Sequence, residues 1–161
     1  MPRTRKNHWV FRARVIDRSG ALTSIASAFS NEGISIKTVV GHGFEEKAGI
    51  DGNVVVTFFC NEEEKDVMAR KIRRLKKVIQ LEEHPYESDR LRKSAIILST
   101  RELTPEDMAT DRAPLTCELV HTGSQGRIYF LAGAPNRLDG VLDRLEADGA
   151  VEDIIYSIMG L

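Results

Sequence analysis

Cysteine, proline and aromatic residues are scarce in this sequence, and these scarcities exclude several classes of protein. The two cysteines, Cys60 and Cys117, lie in separate strand-like segments without CxxC spacing, which argues against a disulfide framework or zinc site and favours two buried thiols. No apolar run approaches the ~20 residues needed to span a bilayer. The basic residues near the start precede no apolar signal-peptide segment. We therefore expect a cytoplasmic protein without a membrane partner.

The sequence also lacks an excess of one charge and the motifs of common enzymes. Its formal net charge is −1, so no general field draws it toward nucleic acid. The four histidines are scattered, and there is no P-loop, GxGxxG or GxSxG motif. His42 shares one loop with Glu45, Glu46 and Asp51, but a solvated polar loop is favoured over a metal site there. We expect no catalytic residues, no metal and no cofactor.

The first half of the sequence alternates between strand and helix patterns. Period-two alternation from His8 to Asp17 predicts a half-buried strand, with Arg12 and Arg14 on the polar face. Spacing of i, i+3, i+4 and i+7 predicts a helix whose apolar stripe is Leu22, Ile25, Ala26 and Phe29 and whose end is Gly33. The remaining predicted elements are a strand over 34–40, a glycine-rich loop over 41–52, a central strand over 53–60, a helix begun by Asn61 and Glu64, and a strand over 78–83.

The second half repeats this order with a weaker first helix. Strands are predicted over 95–98, 115–121, 127–132 and 151–159, and a short helix begins at Thr104–Asp107. A second helix carries the stripe Leu138, Val141, Leu142 and Leu145. The fold class is thus α+β, with two tandem ferredoxin-like β-α-β-β-α-β units. We place the first unit at 1–84, a linker at 85–93 and the second unit at 94–161.

The junction between the first strand and first helix is the best candidate for a ligand site. A helix N-terminus presents unpaired N–H groups and partial positive charge, which suit a carboxylate. Gly20 allows close approach to the backbone because it has no Cβ. Ser19 is placed either to cap the helix or to contact a ligand. A plain strand-to-helix turn explains the same local features, so other signals must decide.

Several segments resemble the ACT domain, the amino-acid-sensing module of biosynthetic enzymes. The stretch VIDRSGALTSIASAFSNEGISI over 15–36 is most similar to the small regulatory subunit of acetohydroxyacid synthase, whose pattern there is approximately Asn-Glu-x-Gly-x-Leu, a helix, then Gly-x-Asn-Ile. The resemblance continues in LKKVIQL over 75–81 and in the second half through Leu131-Ala132-Gly133, Leu138-Asp139, Val151-Glu152, Ser157 and Gly160-Leu161. It covers nearly the whole chain.

The resemblance implies a site between two copies of the chain. An effector amino acid would place its carboxylate on the N–H groups of Gly20 to Leu22 and its ammonium near Asp17, with Ser35 and Ile36 approaching from the second subunit. The implied ligand-binding residues are Asp17, Ser19, Gly20, Ala21, Leu22, Ser35 and Ile36. Asp17 and Ser35 stand where the family has asparagines, and Gly52-Asn53 where it tends to have Ser-Arg, so the effector or the enzyme served is expected to differ.

The implied function is that of a non-catalytic homodimer that binds an amino acid, branched-chain such as valine, and modulates the thiamine-diphosphate-dependent catalytic subunit of acetohydroxyacid synthase. One alternative is a stand-alone ACT sensor of another enzyme, or a relative that has lost its ligand. A four-stranded sheet of this topology also occurs in RNA-recognition domains, which display aromatic residues on central strands. Trp9, Phe11, Phe58 and Phe59 are candidates, but no matching motif surrounds them.

Overall fold

A computed structural model describes residues 5–47 and 50–161, with side chains outside the description at 44–47, 50 and 51. The chain forms two compact units, the first ending at Tyr86 and the second beginning at Glu87. Among the described residues, no helix is long and apolar enough to cross a membrane.

The first unit has the predicted β-α-β-β-α-β order. The elements are β1 (Asn7–Val15), α1 (Arg18–Asn31), β2 (Ile36–Lys47), β3 (Ile50–Cys60), α2 (Glu62–Arg73) and β4 (Val78–Pro85). The sheet is antiparallel in the order β2-β3-β1-β4, so the apolar β3 is central, as predicted. The final strand ends at Pro85, on the sheet edge where a residue without an N–H is tolerated.

The core of this unit lies between the helices and one face of the sheet. Phe11 on β1, Phe29 on α1 and Phe58 on β3 are at most 1% exposed and pack edge to face, with ring centroids 4.7–6.4 Å apart. The predicted alternation of β1 is confirmed on this face. Arg12, predicted on a solvated face, is only 7% exposed and is paired with Glu82 at 3.2 Å. The pairing offsets the cost of burying the guanidinium.

Helix α1 ends as predicted but buries a different stripe. Its buried residues are Ala21, Ile25 and Phe29, one i, i+4 row, whereas Leu22 and Ala26 are exposed. The predicted stripe was therefore wrong at two of its four residues, because the sheet contacts only a narrow band of the helix. Gly33 has φ +67°, and the hydrogen bonds from Gly33 N to Ser30 O and from Ile34 N to Phe29 O form a Schellman motif.

The glycine-rich segment over 41–52 is mostly a strand pair, which corrects the predicted long loop. Gly41 pairs with Val54, and Gly43 with Gly52, so the β2–β3 ladder continues past the expected strand ends. A Cβ at Gly52 would overlap the carbonyl oxygen of His42. These backbones approach too closely for a side chain there, so glycine marks close pairing rather than a turn. The side chains of Glu45, Glu46 and Asp51 lie outside the described residues, so the metal alternative in this segment is not tested.

The second unit has the same sheet topology but lacks a full first helix. The elements are β5 (Leu91–Ser99), a four-residue 3-10 turn (Pro105–Met108), β6 (Thr116–Gly123), β7 (Gly126–Gly133), α3 (Pro135–Ala147) and β8 (Val151–Gly160). The strands lie in the order β6-β7-β5-β8, and the 3-10 turn stands where α1 stands in the first unit. The weaker helix that the sequence predicts here is thus confirmed as a single turn.

The core of the second unit is built from α3 and the inner face of its sheet. The whole predicted stripe of α3 is buried, at 0–4% exposure, and Met108, Leu115 and Leu103 pack against it in place of a first helix. Strand β6 is exposed along its length at the sheet edge, and it carries Cys117. The expectation of two buried thiols is therefore wrong for Cys117 and correct for Cys60.

Candidate ligand site at the first strand-to-helix turn

Asp17 is the cap of helix α1 and adopts an unusual backbone conformation. Its φ of 47° and ψ of 71° lie in the left-handed region, which among L-residues Asn and Asp enter most readily. Its Oδ1 accepts from the N–H of Gly20 and from the hydroxyl of Ser19, both at 3.3 Å. Ser19 thus supports the capping residue rather than capping the helix itself. The side chain stabilises the turn by satisfying a helix N–H that otherwise has no partner.

The backbone donors expected to meet a ligand carboxylate are partly engaged within the turn. The N–H of Gly20 donates to the Asp17 side chain, and the N–H of Ala21 donates to the Asp17 carbonyl oxygen at 2.8 Å. The side chain of Ala21 is fully buried in the core, whereas Leu22 is 36% exposed beside the turn. A ligand carboxylate at this helix end therefore has to share donors with Asp17.

Lys77 completes this turn. Its ammonium Nζ donates to Asp17 Oδ2 at 2.6 Å, and its carbonyl oxygen accepts from the N–H of Ile16 at 2.9 Å. A Cβ placed on Gly20 would overlap the Lys77 ammonium and lie 2.7 Å from Asp17 Oδ2. Lys77, with help from the Gly20 N–H, lowers the pKa of the Asp17 carboxyl below its usual value. The carboxylate is therefore ionised at neutral pH.

Sequence reasoning missed Lys77 although a signal was present. Asp17 and Lys77 are separated by 60 residues, so no local pattern links them. The predicted β-α-β-β-α-β order, however, places β4 beside β1 in an antiparallel sheet. Val15 of β1 pairs with Val78 of β4 at the end of this ladder. Asp17 follows Val15 and Lys77 precedes Val78, so the strand pairing brings the two charged residues together.

Ser35 and Ile36 lie at the opposite end of α1 from Asp17. Helix α1 has 14 residues and is therefore about 21 Å long, so these residues do not join the Asp17 turn within one chain. They line an open groove of about 420 Å³ together with Ala26, Phe29, Ser30 and Ile34. A site that unites the two sets of residues requires a second copy of the chain.

The surroundings of the turn are otherwise basic. The Arg18 side chain lies over β2, where a Cβ on Gly43 would overlap its guanidinium and a Cβ on Gly41 would lie 4.0 Å from its Cδ. With Lys77, this places two cations beside the positive end of the helix dipole. The local field favours an anionic group on the ligand.

The four aromatic residues that were candidates for RNA binding do not form an exposed platform. Phe11 and Phe58 are at most 1% exposed beneath the helices. Trp9 is half-buried, and its indole N–H donates to the carbonyl oxygen of Cys60 at 3.3 Å. Phe59 is exposed but stacks on His8, with ring centroids 4.1 Å apart. Base stacking requires adjacent exposed rings on central strands, so this arrangement argues against that alternative.

No set of metal ligands is found in the part of the chain that the structure describes. Over residues 5–47 and 50–161, apart from the side chains at 44–47, 50 and 51, no three His, Cys, Asp or Glu residues are grouped to hold a metal ion. His42 faces Asn53, with Nε2 and Nδ2 3.3 Å apart.

Comparison with solved structures gives a match over the whole chain. The acetolactate synthase small subunit from Thermotoga maritima superposes with a TM-score of 0.66 and 16% sequence identity, covering 98% of both chains. The two proteins share one fold. This match confirms the predicted fold, which is α+β with two tandem ferredoxin-like units.

Two further structures are similar at a lower level. The regulatory subunit of aspartate kinase from Thermus thermophilus matches with a TM-score of 0.46 and 10% identity over 88% of this chain and 92% of that one. An unknown protein from Galdieria sulphuraria matches with a TM-score of 0.43 and 13% identity over 98% of this chain and 99% of that one. No family model and no curated protein matches the sequence.

Proposed function

We propose that this protein is a non-catalytic regulatory subunit that binds an amino acid and changes the activity of acetohydroxyacid synthase, which makes acetolactate. The full-length fold match to an acetolactate synthase small subunit carries this proposal. The sequence resemblance, centred on the Asp17–Leu22 turn, points to the same class. A regulator acts only if its ligand has different affinities for two states of the assembly, and a coupling of 1–3 kcal/mol is typical.

The effector site lies between two copies of the first unit. Asp17, Ser19, Gly20, Ala21 and Leu22 supply one side, and the partner's strand start at Ser35 and Ile36 supplies the other. Asp17 takes the ammonium, and the helix N-terminus takes the carboxylate. The aliphatic residues Ile16 and Leu22, each 36% exposed next to this turn, suit a branched-chain side chain such as that of valine.

The surface of the first unit supports pairing with a second copy. Strand β2 is a sheet edge with unpaired backbone groups, and Val39 on it is 46% exposed. The exposed residues Leu22 and Ala26 of α1 add apolar area, and Ala26 lines the groove that also contains Ser35 and Ile36. We expect a homodimer at micromolar concentration. Sedimentation that shows only the 18.0 kDa monomer would contradict it, and Val39→Lys is expected to weaken the association.

Reconstitution tests the function. The protein is added to the acetohydroxyacid synthase catalytic subunit of the same organism, and acetolactate formation is measured with and without branched-chain amino acids. We expect a higher basal rate and new inhibition by one of these amino acids. By linkage, the catalytic subunit changes the effector affinity by the same factor. An unchanged rate and unchanged inhibition would refute this partner.

A stand-alone amino-acid sensor that serves another enzyme is the second candidate. The aspartate at position 17 and the serine at position 35 favour it, since the resembled subunits carry asparagines there. A pull-down that recovers a different enzyme, together with an amino-acid-dependent thermal shift, would support this candidate over the first.

A further inference from the structure

The Lys77 ammonium lies where the proposed function puts the ammonium of an amino acid. It donates to Asp17 Oδ2 at 2.6 Å and covers Gly20, the residue that would face the ligand. We propose that Lys77 determines the specificity of the site by competing with the effector's ammonium for Asp17. This inference rests on the proposed function of the Asp17 turn.

The geometry makes the two ammonium groups alternatives. One oxygen of Asp17 is committed to the turn, because Oδ1 accepts from Gly20 N and Ser19 Oγ. The other oxygen, Oδ2, faces Lys77. An α-ammonium that pairs with Oδ2 would have to take the position that Lys77 Nζ holds, 2.6 Å from that oxygen, and two like charges so close repel each other. An amino acid must therefore move Lys77 before it can pair with Asp17.

Lys77 is able to leave. Its side chain is 40% exposed and that of Asp17 is 54% exposed, so water replaces the broken contact on both sides. A lysine side chain is a flexible four-carbon stem with no fixed planar geometry. Its backbone is held independently, through the hydrogen bond from Ile16 N to Lys77 O. The ammonium can thus swing away while the strand start stays in place.

The competition predicts a preference between two classes of carboxylic acid. A 2-oxo acid has the carboxylate but no ammonium, so it can bind beside an intact Asp17–Lys77 pair and gains attraction from Lys77. An amino acid has to displace Lys77. Removing the Lys77 ammonium therefore raises the affinity for amino acids, which no longer have to displace it. The same change lowers the affinity for 2-oxo acids, because the Asp17 charge near the incoming carboxylate is then no longer balanced by Lys77.

Calorimetry with L-valine and 2-oxoisovalerate tests this on the full-length protein. We expect Lys77→Met to shift the ratio of the two affinities toward L-valine by about tenfold or more. A change of this size is typical when a group in direct contact with the affected site is removed. Lys77→Arg keeps the charge and is expected to keep the wild-type ratio. Lys76→Met is the matched control, since it removes a neighbouring exposed lysine with the same change in net charge.

A second variant keeps the test decisive if the first is misfolded. Asp17→Asn retains a good capping residue that tolerates the left-handed conformation. In that background, Lys77→Met is expected to have a much smaller effect on L-valine affinity, because there is no carboxylate for which the two ammonium groups compete. A full effect of Lys77→Met in the Asp17→Asn background would overturn the inference.

The results separate this inference from the function on which it rests. If both ligands bind and Lys77→Met leaves their affinity ratio at the wild-type value, Lys77 does not set specificity, and the effector site survives. If neither these acids nor any of the twenty amino acids binds wild type or any variant, the effector site and the inference both fail.

Discussion

Both terminal nitrogens of Arg101 donate to the Asp107 carboxylate, at 2.8 and 2.9 Å. The same carboxylate accepts from the N–H of Thr104 at 2.7 Å. Arg144 of α3 adds hydrogen bonds to the carbonyl oxygens of Asp107 and Ala109. These contacts hold the 3-10 turn and the segment after it against the rest of the second unit, including α3. They take the role that a packed helix has in the first unit.

Replacing the central carboxylate is expected to destabilise the second unit at neutral pH. Asp107→Asn removes charge-assisted hydrogen bonds from a side chain that is only 16% exposed. Such bonds are each worth about 1.5–3 kcal/mol, and we expect a loss of about that size in the free energy of unfolding at pH 7. Urea denaturation of wild type and variant measures it.

The pH dependence of this loss follows from the pKa of Asp107. Its hydrogen bonds to Arg101, followed by that to the Thr104 N–H, hold this pKa well below its usual range. The stabilisation is thus complete above the unfolded-state value of about 3.9 and declines as pH falls below it. The difference in the free energy of unfolding between wild type and Asp107→Asn should therefore become smaller below about pH 4. A constant difference from neutral pH down to about pH 3 would contradict this mechanism. Glu102→Gln, at a residue whose side chain is 76% exposed, serves as the control.

Two glycine-to-alanine substitutions are expected to change stability in opposite directions. Gly33 has φ +67° at the end of α1, so Gly33→Ala should lower the free energy of unfolding by about 1–2 kcal/mol. Gly140 lies inside α3, and beyond its own stretch of helix no atom lies within 4 Å of the point that a Cβ would occupy. Gly140→Ala should therefore raise the free energy of unfolding by about 0.5–1 kcal/mol. Thermal and urea denaturation measure both. Equal signs for the two variants would refute the backbone argument.

Patterns tied to burial or capping predicted the fold well. Burial of one face produced the alternation in β1 and the apolar stripe of α3, and unpaired helix N–H groups required the cap at Asn61. Each of these needs is met by residues close together in the sequence. The Asn61–Glu64 capping box forms with hydrogen bonds of 2.8 and 2.9 Å, as predicted. Glycine-rich composition misled over 41–52, because glycine serves close strand pairing as well as turns.

The candidate site was only partly accessible from sequence. Asp17, Ser19 and Gly20 are neighbours along the chain, and the structure brings them together in one capped turn. Lys77 enters through β1–β4 pairing, which depends on topology rather than local pattern. Likewise, Cys117 looked like a core residue, but its strand is a sheet edge that the helices do not cover.

The two cysteines are expected to react with an alkylating agent at very different rates. Cys60 is 0% exposed, and burial raises the pKa of its thiol to about 11, so it is neither accessible nor ionised in mildly alkaline buffer. Partial desolvation also raises the pKa of Cys117, but this residue is exposed on β6. Iodoacetamide at about pH 8 followed by mass spectrometry should show one adduct on the native protein and two in urea. Cys117→Ser should show none in the native state, and rapid labelling of native Cys60 would contradict the structure.

Substituting Gly20 by aspartate should separate stability from ligand binding. Gly20 is the third residue of α1, where a negative side chain is favourable for the helix dipole and the entropic cost of glycine is removed. Both the Lys77 ammonium and Asp17 Oδ2 have to move away from the new Cβ, and Lys77 can then pair with the added carboxylate. We therefore expect Gly20→Asp to fold with a Tm close to that of wild type, because the gains and the repulsion from Asp17 offset each other.

Effector binding should nevertheless be weaker in this variant. The new carboxylate occupies the approach to the helix N-terminus and repels the carboxylate of an amino acid, so the affinity for L-valine should fall by about tenfold or more, the loss of one charge-assisted hydrogen bond. Calorimetry measures this, with Ser27→Asp as a control that adds the same charge at an exposed position of the same helix. If Gly20→Asp binds L-valine as wild type does, the effector does not bind at this turn.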